Sequence, residues 1–197
     1  MYRAMSVPGG RVTRVRWWGT GLVACVLLVL GAGLPLLDAA LGAGGRPVRP
    51  GTVLSVGTER DGTRPVSFAV PSAGWTLSEE RSFLGGNAFL TRDEVAFNIS
   101  VVVPLAPLDA PALWDGLAKL VTVGRDRRLG TAPATITTVH GLRGLTGHLT
   151  GDGRAGTAAV FATRRLGATV TASGPPGAYR RVAAQVDAMM RTVRISP

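Results

Sequence analysis

The sequence predicts an α+β domain, a mainly antiparallel sheet covered by two amphipathic helices, preceded by one N-terminal transmembrane helix. Three observations predict it. Residues 19–37 (GTGLVACVLLVLGAGLPLL) hold no charged side chain. Several short segments after residue 65 alternate apolar with polar residues and are separated by Gly- or Pro-bearing turns. Two longer stretches carry apolar residues at helical spacing.

The apolar run sets the first boundary. Some 19 to 23 helical residues at about 1.5 Å each span a hydrocarbon core of about 30 Å, and a helix satisfies its own backbone polar groups, as lipid requires. Arg3, Arg11, Arg14 and Arg16 precede the run with no acid among them, and Trp17 and Trp18 stand at its interfacial edge. The positive-inside bias then makes residues 1–16 a cytoplasmic basic tail, 17–38 a membrane span and everything later extracellular. Two other readings fit parts of this segment. Ala40-Leu41-Gly42 offers small residues for signal cleavage, and Leu22-Val23-Ala24-Cys25 matches a lipobox. The run exceeds the usual signal core of about 7 to 15 residues, and Val26 to Leu30 follow the cysteine where a mature lipoprotein continues into a polar linker. Retention is the favoured reading. An intact N-terminus, a cut near Gly42 or a diacylated Cys25, read by mass spectrometry, separates the three.

Residues 39–64, rich in Gly, Pro and Arg, read as a flexible linker with a short strand at 52–56. The extracytoplasmic domain is expected over 65–197. Its first strand is 66–70, stopped by Pro71 and followed by Gly74-Trp75. A second covers 87–91. The clearest covers 96–103, where Phe97, Ile99, Val101 and Val103 share one face and Asn98 and Ser100 the other. Asp109 is placed as a helix N-cap, with Pro111 in the first turn. Leu113, Trp114, Leu117, Leu120 and Val121 form the apolar stripe of a helix ending at Gly124. Strands are expected at 134–139, 141–150, 156–164 and 168–173, with Gly151-Asp152-Gly153 as a hairpin turn. The last helix, 178–193, carries Tyr179, Val182, Ala183, Val186, Met189, Met190 and Val193 on one face. Short connections between consecutive strands imply antiparallel pairing, and two helices then cover the apolar surface.

These segments, in this order, resemble the PsbP-like fold, and more closely the actinobacterial envelope proteins that share it. The carrying residues are Phe68-x-Val70-Pro71 with Gly74-Trp75, Phe97-Asn98-Ile99-Ser100-Val101, Gly141-Leu142-x-Gly144 and Met189-Met190-x-Thr192-Val193-Arg194, together spanning about 64–196. The resemblance implies an α/β/α sandwich serving as a non-enzymatic binding or accessory module. It transfers no partner residue by residue, because a fold hosts many functions and the lipobox of some relatives is poorly matched here.

The chain carries 22 Lys and Arg against 12 Asp and Glu, a net charge of +10. Beyond position 38 there remain 18 basic and 11 acidic residues, a net +7, which favours anionic partners through salt-screened attraction. The expected partners are the lipid bilayer, through residues 17–38, and an envelope protein or anionic polymer. Scattered arginine on a solvated face is the competing reading, since no cluster exceeds Arg125-Asp126-Arg127-Arg128. Nucleic acid is excluded on topology and by the lack of interleaved aromatics. The one cysteine, Cys25, leaves no intramolecular disulfide.

No nucleophile elbow, phosphate loop, zincin or dinucleotide motif is present. Catalytic, cofactor and metal residues are each expected to be none. A metal set of His140, His148 and Asp152 gains no support from strand spacing. Glu79-Glu80 and Asp93-Glu94 read as solvated turn pairs, because strand neighbours point to opposite faces and do not converge on one bond. Asn98-Ile99-Ser100 spells a glycosylation sequon but falls within a strand.

Overall fold

The computed structural model describes residues 45–105, 107–123 and 127–196. The expected cytoplasmic tail (1–16) and membrane span (17–38) lie outside them. Among the described residues no helix is long and apolar enough to cross a membrane.

Twelve strands and two helices follow one another as β1 (Arg46–Pro47), β2 (Thr52–Val56), β3 (Val66–Val70), β4 (Thr76–Leu77), β5 (Asn87–Arg92), β6 (Val95–Val102), α1 (Ala110–Val123), β7 (Arg128–Leu129), β8 (Ala134–Thr137), β9 (Arg143–Gly151), β10 (Arg154–Ala162), β11 (Gly167–Gly174), α2 (Pro176–Arg191) and β12 (Arg194–Ile195). Nine strands form one sheet in the order β1-β4-β5-β6-β11-β10-β9-β7, with β8 also on β9, and a smaller sheet runs β12-β3-β2. Every pairing among the described residues is antiparallel.

The large sheet separates two cores. In β6, Val95, Phe97 and Ile99 are fully buried on one face, while Ala96, Asn98 and Ser100 take the other. With Ala168, Val170 and Ala172 of β11 they build the main core under α2 and the small sheet. Helix α2 opens on Pro175-Pro176, whose fixed φ suits a first turn. It buries Tyr179, Val182, Val186, Met189 and Met190, each fully buried aliphatic side chain contributing about 1.5–3 kcal/mol. On the opposite face α1 sets Leu113, Trp114 and Leu117 against Ala158, Val160 and Leu149. Asp109 caps α1, its Oδ1 accepting the Ala112 N–H at 2.8 Å. Asp109→Ala is expected to cost about 1 kcal/mol in a urea melt.

Hairpin chemistry sets the register. Asp93-Glu94 (φ 48° and 66°) joins β5 to β6, and Asp152-Gly153 (φ 51° and 66°) joins β9 to β10. Both are two-residue turns with positive φ throughout, whose twist matches that of the strands.

Three expectations are corrected. The linker assigned to 39–64 is folded from residue 45: the described residues from Gly45 onward form one compact unit, with Val48 and Val56 buried and β1 and β2 paired to β4 and β3. Strands of two and five residues, broken by Gly and Pro, are too short to show a period. Leu120 does not join the α1 stripe; it is 74% exposed, because it stands beyond the small core that α1 covers. The strand placed at 156–164 runs from Arg154 to Ala162, which moves Arg164 into a turn. Gly124 lies outside the described residues.

Tyr179 links α2 to the sheet, its hydroxyl donating to Thr157 Oγ1 at 2.6 Å. Burial raises its pKa above the ordinary phenol value; the Thr157 contact opposes the shift and Asp187 adds to it. A raised folded-state pKa means the neutral phenol stabilises the fold. That contribution is complete below about pH 10 and is lost as pH climbs through the folded value. Tyr179→Phe is therefore expected to cost about 1 kcal/mol at pH 8 and to flatten the alkaline loss, as urea melts at pH 8 and pH 11 would show.

Candidate anion-binding groove

Three chain segments join the end of β6 around a groove of about 440 Å³. The first is the β2–β3 connection. Gly57 (φ 111°) turns the chain out of β2, and a Cβ there would lie 2.7 Å from the Pro65 ring. Glycine is therefore required on both conformational and steric grounds. Asp61 and Gly62 (φ 50° and 71°) then form a tight turn, with Arg60 and Thr63 exchanging backbone hydrogen bonds at 2.9 Å. That turn holds Arg60 at the groove.

The second segment is the β10–β11 turn. The Thr163 N–H donates to the Leu166 carbonyl at 2.8 Å, and the Thr163 hydroxyl donates to the same carbonyl at 3.0 Å. Arg164 and Arg165, between these anchors, reach the groove. The third is the strand after α2. Pairing of β12 with β3 and the Ser196 N–H to Pro65 carbonyl bond, 2.7 Å, bring Ile195 and Ser196 to the wall.

The floor is apolar, made by Pro65, Val101, Val103, Leu166 and Ile195. Arg60, Arg164 and Arg165 are the charged residues of the lining, which contains no Asp or Glu. Of the two acids beside Arg60 in sequence, Glu59 is 3.4 Å from Arg64 and Asp61 sits in the turn outside the lining. Each of the three arginines is solvent-exposed and alone would be worth little in an ion pair. Together beside an apolar floor, three cations raise the local potential and have a low-dielectric wall to focus it. The lining hydroxyls have no His, Cys, Asp or Glu within the lining to act as a base.

A second cleft, about 300 Å³, lies on the α1 side between Leu120, Val121, Arg127 and the sheet residues Phe89, Asn98, Thr171 and Ser173. Its polar groups are partly occupied. Asn98 donates to Ser100 Oγ at 3.0 Å and accepts from Asn87 at 3.2 Å, so the sequon residues are engaged in the sheet.

The residues weighed for metal or acid–base chemistry are not brought together. Asp152 lies 3.4 Å from Arg127, while His140 stands in the turn before β9 and His148 within that strand. Among the described residues no three His, Cys, Asp or Glu side chains gather as a metal site. Asp93-Glu94 forms a hairpin turn and Glu79-Glu80 an exposed one. Sequence reasoning missed the arginine cluster, since residues 60 and 164 are a hundred positions apart. The legible signal was the Arg164-Arg165 pair, charged residues between two alternating segments.

No protein-family model matches the chain, and no curated protein matches its sequence. Among solved structures it is similar to cyanobacterial PsbP (CyanoP) from Synechocystis sp. PCC 6803, at 16% identity and a TM-score of 0.50, over 75% of this chain and 95% of that one. It also aligns with LpqN of Mycobacterium tuberculosis, described as involved in cell envelope biogenesis, at 12% identity and a TM-score of 0.48, over 77% and 90%. With the strand order and helix placement above, the likeness to CyanoP establishes what the chain shares: a PsbP-like α+β fold.

Proposed function

We propose that the chain is a membrane-anchored, extracytoplasmic binding module that captures an anionic component of the envelope in the arginine-rimmed groove. The observation that carries this reading is a concave site in which three arginines from two distant loops converge and no acid lines the wall. The uncharged run at 19–37 and its flanking arginines support a single-pass anchor over 17–38 with the N-terminus in the cytoplasm. Long-range attraction steers an anion to the groove, and charge-assisted hydrogen bonds from the guanidinium forks hold it.

A test separates this groove from a diffuse basic surface. The full chain in non-ionic detergent is expected to bind immobilised polyphosphate at low salt and to release it as salt rises. Arg164→Gln with Arg165→Gln should weaken binding about tenfold or more. A double variant that elutes with the wild type would assign the retention to scattered arginines and overturn the groove. Protease protection of residues 1–16 in sealed right-side-out vesicles, with digestion of the C-terminal domain, is the expected topology result.

A further inference from the structure

The groove holds more apolar surface than an anion can use, and that surplus says what else the ligand carries. Resting on the anion-binding reading above, we infer that the groove receives an anionic single-chain amphiphile, its head group on the arginines and its alkyl chain along the floor. A simple anion, or the repeating charges of a polymer, would leave Pro65, Val101, Leu166 and Ile195 wet. Covering such surface contributes about 25 cal/mol per Å², so a ligand with an apolar limb gains where a purely ionic one does not.

Part of the apolar lining is open to solvent. Val103 is 71% exposed at the end of β6, where Pro104 stops the strand, and Leu105 beyond it is fully exposed. Exposed apolar surface at Val103 thus belongs to the same lining as Arg60, Arg164 and Arg165, so one ligand can meet charge and apolar surface together. The volume, about 440 Å³, lies within the range of about 300–1,000 Å³ typical of small-molecule sites. It suits one chain and a compact head better than a folded partner, whose interface buries about 800 Å² per side.

Native mass spectrometry of the full chain released from dodecyl maltoside micelles tests the assignment. The micelles are loaded with lysophosphatidylglycerol, dodecanoate or zwitterionic lysophosphatidylcholine, with and without glycerol 3-phosphate as competitor. A one-to-one adduct with either anionic amphiphile is expected, favoured about tenfold over the zwitterion. Arg164→Gln with Arg165→Gln should remove that preference, which lipid held by the membrane segment would retain. Val103→Ser, an uncharged change at an exposed position that leaves the core intact, should also weaken the adduct.

The outcomes separate the two levels of the argument. An adduct unaffected by Val103→Ser and displaced by glycerol 3-phosphate would show head-group binding alone, overturning the amphiphile while leaving the anion site standing. Adducts indifferent to the arginines would overturn both. Binding of dodecanoate but not of lysophosphatidylglycerol would identify a free fatty acid as the source, and the reverse a phospholipid product.

Discussion

Gly156→Ala is expected to lower the unfolding free energy by about 3 kcal/mol, the upper part of the range for overpacking a core. Gly156 sits in β10 between Leu149 of β9 and Ser173 of β11. A Cβ there would lie 2.9 Å from both Cα and Cβ of Ser173 and closer still to the Ala172 carbonyl oxygen. These are mainly backbone atoms of a paired neighbour, which no rotamer change can move aside. Relief requires parting β10 from β11 and losing ladder hydrogen bonds. Gly147→Ala, in β9, is the internal control. Its Cβ would meet the Trp114 ring at 2.9 Å and 3.0 Å, and α1 can shift by the few tenths of an ångström needed. Urea melts of the two variants are expected to rank Gly156→Ala well below Gly147→Ala; equal midpoints would show that β10 and β11 are not so close.

Trp75→Ala is expected to cost about 3–5 kcal/mol. Trp75 is fully buried and meets Phe97 edge-on at 6.2 Å, and Phe97 in turn packs on Phe68 at 5.6 Å. Its indole N–H donates to Gln185 Oε1 at 3.2 Å, an oxygen that also accepts from Ser72 Oγ at 2.7 Å and Arg92 Nη1 at 2.6 Å. One amide oxygen on α2 thus pins the turn after β3, the tryptophan that follows it and the end of β5. Gln185→Leu removes that acceptor from the indole N–H and the Ser72 hydroxyl, while Arg92 keeps the Ala73 carbonyl, and should cost about 1–3 kcal/mol. Trp75→Phe with Gln185→Leu removes the indole N–H and its acceptor together, so the pair should cost less than the sum of its singles. Additive costs in the double-mutant cycle would assign the Gln185 loss to its other partners.

The sequence was legible wherever a period had room to repeat. Sixteen residues of α2 and eight of β6 each present enough turns or alternations to declare a face, and Asp152-Gly153 declares its own turn. The Phe68-x-Val70-Pro71 and Gly74-Trp75 pattern also read correctly as fold-bearing, since Trp75 proves to be a centre of the core. The two-residue strands β1, β4, β7 and β12 have no period at all. β4, β7 and β12 form on the open edge of a longer strand and β1 on β4 in turn, a property of the assembled sheet. The groove was hidden for a related reason. Arg60, Val101, Arg164 and Ile195 each look ordinary in their own windows, and only the folding of four segments to one end of the molecule makes them a set. Leu120 shows the converse, where a helical stripe longer than the surface beneath it leaves one member in solvent.

The pairing of β12 with β3 has a consequence for how the domain is made. Arg194 and Ile195 lie opposite Ser67 and Val66, and the Thr192 hydroxyl accepts the Ala69 N–H at 2.9 Å across 123 positions. A chain emerging N-terminus first cannot form these contacts until Thr192 to Ile195 have appeared. Such long-range closure is slow, in the millisecond-to-second regime of β-rich topologies. Until then β3 offers one open edge, and open edges recruit other strands. A ribosome or translocon stalled just short of Thr192 would therefore display a nearly complete domain with its adhesive seam uncovered, the state in which a chaperone is most needed.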